Sequence, residues 1–146
     1  MRSSLIFLAF LAAPAWAQVT VEQPWSRATP PGAEIGAGFM TLKNAGASAA
    51  RVVGASSPAA ARVEMHVTTH EGNVMQMREV PAYEVPAGGT FVLAPGGAHL
   101  MLFGLKRPLQ AGERVPLTLK LEGGGEVKAE LQVQKLGARA PGHHHH

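Results

Sequence analysis

Residues 62–80 read RVEMHVTTHEGNVMQMREV. Two runs, Arg62–Thr69 and Val74–Val80, flank Glu71-Gly72-Asn73. β-branched residues on either side of a Gly/Asn punctuation predict two strands joined by a tight turn. The turn position sets which side chains meet. A Glu71-Gly72 turn places His66 directly opposite Met77, whereas a Gly72-Asn73 turn offsets that pair by two residues.

The same grammar extends in both directions. Val19-Thr20-Val21 opens the domain, Pro30-Pro31-Gly32 is a loop, and Gly38–Lys43 and Ala50–Ala55 read as strands. Downstream, Thr90–Leu93 is a short strand, and the apolar run His99–Leu105 follows Pro95-Gly96-Gly97. Val115–Glu122 and Glu126–Gln134 form a last hairpin around Gly123-Gly124-Gly125. No segment after residue 17 shows a helical period. The pattern predicts an all-β sandwich or barrel of about eight or nine short strands in a single domain, residues 18–136.

Composition agrees and excludes several chemistries. The 146-residue chain is 46% hydrophobic and 16% charged, with 17 Gly and 11 Pro, as expected for a globular protein rich in turns. It has no Cys, which removes disulfides, thiol chemistry, Cys-ligated zinc and blue-copper sites. All ten acidic residues are Glu, so mechanisms built on Asp are absent. No Ser/His/acid arrangement is recognisable, and we expect no enzyme activity. The net charge of +3 is spread thinly and aromatics are 5%, which argues against nucleic-acid binding.

Residues 1–17 read as a secretory signal peptide. Arg2 supplies the charge, Leu5–Ala13 the apolar stretch, and Ala15-Trp16-Ala17 a small-x-small cleavage site. The apolar stretch is too short to cross a bilayer, and no Cys follows the cleavage site to carry a lipid. The expectation is a periplasmic protein whose mature chain does not insert into the membrane. Residues 137–146 read as a flexible tail ending in His143, His144, His145 and His146. This run is either a short purification tag or, as we favour, a native metal-binding tail.

Apart from that run, the chain has three His, at 66, 70 and 99. Four of the Met residues, 65, 75, 77 and 101, lie among them. A single Met on a strand is ordinarily core filler, and a single His ordinarily a surface or satisfied core residue. Here spacing matters. His99 and Met101 are two apart on a strand and project to one face. His66 and Met77 come from opposite arms of the hairpin. Two imidazoles and two thioethers are a soft, neutral donor set that selects Cu(I) over Zn, Mg or Ca. By alternation Met75 shares the face of Met77, as an auxiliary thioether or as rim packing. Met65 points the other way, to the core. His70 shares the parity of His66 but falls at the hairpin tip, where a solvated side chain is the default expectation and an auxiliary copper contact the alternative.

The spacing His66-x10-Met77-x21-His99-x-Met101 resembles the ligand motif of the periplasmic copper chaperone family PCuAC. Trp25-Ser26-Arg27, Ala55-Ser56-Ser57-Pro58, the run Gly72–Arg78, the run Pro95–Leu102, Gly112 and Val115–Leu119 are similar as well. The resemblance spans residues 19–134. It implies a cupredoxin-like Greek-key β-sandwich or barrel with a Cu(I) site near one end, its ligands His66, Met77, His99 and Met101. It also implies delivery of copper to the CuA subunit of cytochrome c oxidase, alongside a Sco-type copper protein. The alternative function is periplasmic copper buffering or resistance. Imidazoles suit Cu(II), so the His tail is expected to take the oxidised ion. Trp25 and Arg27 belong to the matching sequence, but their chemistry assigns them no role.

Overall fold

The structure is a computed structural model, and it describes residues 18–137. The proposed signal peptide, residues 1–17, and the tail His143–His146 lie outside the described residues. Ten strands run in sequence: β1 (Val19–Arg27), β2 (Ile35–Asn44), β3 (Ala50–Ser56), β4 (Ala60–Glu71), β5 (Val74–Glu79), β6 (Tyr83–Val85), β7 (Thr90–Leu93), β8 (His99–Leu105), β9 (Arg114–Leu121) and β10 (Glu126–Gln134). The expected strands are all present, and β6 is additional. It is three residues long between Pro81 and Pro86, too short for alternation to announce it.

Seven of the strands close a barrel in the order β4-β8-β2-β1-β10-β9-β3, with β3 returning to β4 through the pair Ala55↔Val63. Neighbours are antiparallel except β1 and β10, which run parallel. β5 extends the wall beyond β4, β6 pairs with β3, and β7 with β2. Closure removes sheet edges from most of the domain. β5 keeps a free edge, and all six of its residues are exposed. β1 runs six residues past Val21, carried through Gln23 and Pro24 by a bulge at which Gln23 takes a φ of 48°.

Alternation fixes what faces the lumen. On β8, Leu100 and Leu102 are fully buried and point inward, so His99, Met101 and Phe103 point outward. On β4, Met65 belongs to the core, while Glu64, His66, Thr68 and His70 share the opposite face. Each enclosed leucine contributes about 1.5–3 kcal/mol of burial. That core holds β4 and β8 rigidly and presents their outer faces side by side. Trp25 and Phe39 form a second, smaller apolar patch on this outer surface, their rings 4.7 Å apart.

Candidate metal centre

The hairpin register follows from its turn. Glu71 pairs with Val74, so the loop is Gly72-Asn73. Gly72 sits at the first loop position with a φ of +62°, the left-handed conformation a type II′ turn requires there. Of the two turns compatible with the sequence, the second forms. His66 therefore faces Glu79, and Met77 faces Thr68. Met77 lies diagonal to His66, within reach of a long side chain rather than in direct opposition.

β8 brings up the other two side chains. His66 pairs with His99 and Glu64 with Met101. The imidazoles stack with centroids 5.8 Å apart and planes inclined by 26°. Met77, His99 and Met101 line one open groove of about 470 Å³, together with Met75, Arg27 and Phe39. His66 does not line it, and its ring packs beside His99 and near Phe103. The Arg27 guanidinium lies 5.7 Å from both the Trp25 and Phe39 rings, which places those two aromatics at the groove's edge.

The hydrogen bonds determine which nitrogens carry lone pairs. His99 Nδ1 lies 3.1 Å from the Gly97 carbonyl oxygen. A carbonyl can only accept, so Nδ1 carries the proton and Nε2 is left as a base. His66 Nε2 lies 3.0 Å from Glu64 Oε1. Hydrogen bonds from Arg62 and then His66 hold the Glu64 carboxyl down at about 2, so it is ionised and accepts from Nε2–H. The His66 base is then Nδ1, which is buried and has no hydrogen-bond partner among the described residues. A buried, unpartnered imidazole nitrogen is costly unless something coordinates it.

A chain of contacts holds His66 in this state. Arg62 lies 4.3 Å over the Phe103 ring and donates from Nε to Glu64 Oε2 at 2.8 Å. Glu79 joins from β5, its carboxyl raised above the usual range by a hydrogen bond shared with ionised Glu64. Glu64, His66 and Glu79 have donor atoms within 4.8 Å of one another, a harder oxygen-rich set beside the soft groove. Arg62 already supplies a cation to it. On the inner side, Tyr83 closes the end of the β4–β8 ladder. Its hydroxyl accepts from His66 N–H at 2.9 Å and faces the carbonyl oxygens of His66 at 2.7 Å and His99 at 2.6 Å.

Set against the sequence, Met77, His99 and Met101 share one groove and His66 abuts it. Met75 lines the same groove and is 62% exposed. Met65 is in the core and His70 is exposed. Glu64, Glu79, Tyr83 and Phe39 were missed, and Arg27 lacked a role. Glu64 was legible in principle, since it lies two residues before His66 on the same strand and so on the same face. Tyr83 was not, because its hydroxyl reaches the histidines only through the closed barrel.

Comparison with known proteins places the chain in a family. Residues 19–133 match the family model described as "Putative lipoprotein LpqE-like". The "Putative lipoprotein Lxx21020" of Leifsonia xyli subsp. xyli is 41% identical over 117 residues, covering 80% of this chain and 69% of the relative. The apo PCuAC domain of PmoF2 superposes with a TM-score of 0.70 at 25% identity, over 84% of this chain and 94% of that domain. DR1885 from Deinococcus radiodurans, solved in solution in its apo form, is 36% identical with a TM-score of 0.63, over 92% of this chain and 91% of that one. Its Cu(I) form is 37% identical, again at 0.63, over 84% and 85%. The chain belongs to the LpqE-like family, and its cupredoxin-like barrel is a PCuAC-type domain.

Proposed function

We propose that this protein is a copper chaperone of an extracytoplasmic compartment. It takes Cu(I) as cargo on His66, Met77, His99 and Met101 and passes it to a cuproprotein, with the CuA centre of cytochrome c oxidase as the expected acceptor. One observation carries the reading: Met77, His99 and Met101, from two strands not adjacent to each other, converge on one open groove, and the ring stacked on His99 carries a buried nitrogen, His66 Nδ1, with no hydrogen-bond partner among the described residues.

The donor set fits the ion. Two thioethers and two neutral imidazoles match a soft monovalent cation, and no carboxylate lines the groove. The tautomers deduced above leave His66 Nδ1 and His99 Nε2 as bases, each oriented by a hydrogen bond from its other nitrogen. Met77 is 56% exposed, so an incoming donor can reach the ion at that corner and displace the thioether. Transfer is ligand exchange without a change of oxidation state. The lipoprotein relatives support an exported location.

The test is an anaerobic Cu(I) competition titration against a chromogenic chelator, using residues 18–146 with His143–His146 replaced by Ala. The expected result is one tight site, abolished by Met77→Ala/Met101→Ala, followed by transfer to an isolated CuA domain. Absence of a tight site in the parent chain would overturn the four-donor assignment. Tight binding without transfer would favour buffering over delivery.

A further inference from the structure

Beyond the four donors, the hairpin carries another pair on the same face. His70 and Met75 face each other directly across β4 and β5, one rung from the turn. We propose that they form an outer Cu(I) station through which the ion enters and leaves the groove, an inference that rests on the copper reading above.

The argument starts from register. The type II′ turn at Gly72-Asn73 pairs His70 with Met75 and Thr68 with Met77. Directly opposed residues hold their Cβ atoms about 4.5–5.5 Å apart, which lets an imidazole nitrogen and a thioether sulfur approach one ion from two sides. Had the other turn formed, these two residues would not face each other. Packing does not account for Met75, which is 62% exposed, and His70 is exposed too. Met75 nevertheless lines the groove that holds Met77, His99 and Met101. Soft donors therefore run in a line from the hairpin tip to the barrel wall, with successive same-face positions about 7 Å apart along the strand.

Two neutral donors bind Cu(I) more weakly than four, as an entry point requires. The ion moves inward when a Cu–S bond to Met77 forms as the bond to His70 breaks. Copper remains Cu(I) throughout, and no proton or electron is exchanged. The flexible methionine side chain suits this, since several rotatable bonds let the sulfur follow the ion.

The experiment uses Ag(I) as a redox-inert probe of Cu(I) sites, with residues 18–146, His143–His146 replaced by Ala, and 13C-labelled methionine methyls. The first equivalent is expected to move the Met77 and Met101 methyls. The second should move the Met75 methyl and the His70 ring signals. In stopped flow, His70→Gln/Met75→Leu should slow Cu(I) removal by the chelator severalfold, and the second equivalent of Ag(I) should no longer bind. Both changes sit on exposed positions and leave the core untouched. If Met75 and His70 stay still at the second equivalent, or the removal rate is unchanged, the outer station is wrong. If Met77 and Met101 fail to move at the first equivalent, the copper reading falls with it.

Discussion

Replacing Tyr83 by Phe removes one oxygen from a closed, buried position, and the consequences can be worked through. Tyr83 is 2% exposed, and its ring stacks on Phe91 at 4.8 Å, a contact that Phe preserves. What disappears is the hydroxyl that accepts from His66 N–H and donates its single proton to the carbonyl of His66 or His99. Burial raises this phenol well above its ordinary range, so the proton stays on and the group acts as donor and acceptor at once. The stranded His66 N–H costs about 1–3 kcal/mol, and the lost carbonyl bond a further 0.5–1.5 kcal/mol or so. The total is about 1.5–4.5 kcal/mol. For a domain of this size that lowers Tm by roughly 6–18 °C.

Urea unfolding followed by far-UV circular dichroism measures the first quantity and calorimetry the second. Backbone amide shifts of His66 and His99 should change most, because this hydroxyl bridges the last rung of the β4–β8 ladder. A loss below about 0.5 kcal/mol would mean that water or a local shift satisfies these groups, and the bridging role would be refuted. The Tyr83→Leu variant, which also loses the ring stacking, should fall further.

Two more outcomes follow from the site. In 13C NMR of the metal-free protein the Glu64 carboxyl should titrate near 2 and Glu79 above the ordinary range, and Arg62→Met should raise Glu64 by removing its largest hydrogen bond. The signs oppose: Glu64 favours the fold above its unfolded pKa and loses that contribution as pH falls toward 2, whereas Glu79 favours it at low pH and less as pH rises through its raised pKa. Gly72→Ala forces a Cβ into the left-handed region at a φ of +62° and should cost about 1–2 kcal/mol in equilibrium unfolding, with weaker cross-strand contacts between His66 and Glu79.

Much of the architecture was readable because strands announce themselves locally. Thr90–Leu93, His99–Leu105 and Glu126–Gln134 fall where alternation and turn residues put them. β1 was read short, because Gln23-Pro24 looks like a strand end when the bulge that carries the chain through it is unseen. The His99/Met101 pair needed only a period of two. The His66/Met77 relation needed the turn, and residues 71–73 were compatible with two turns that differ by one position. Gly72 decides between them as the residue that tolerates a positive φ at the first loop position.

By itself the sequence determined the all-β class, the faces shared by His66 and His70, by Met75 and Met77 and by His99 and Met101, and a soft His/Met donor set, since these depend on local period and side-chain chemistry. Tertiary structure decided the rest. Pairing of β8 with β4 brings His99 to His66, and the contact of β3 with β4 makes the wall continuous. The fold also brings Tyr83 under both histidines and lines the groove with Phe39 and Arg27. Those contacts join residues far apart in the chain, and no local pattern encodes a distance that exists only once the barrel has closed.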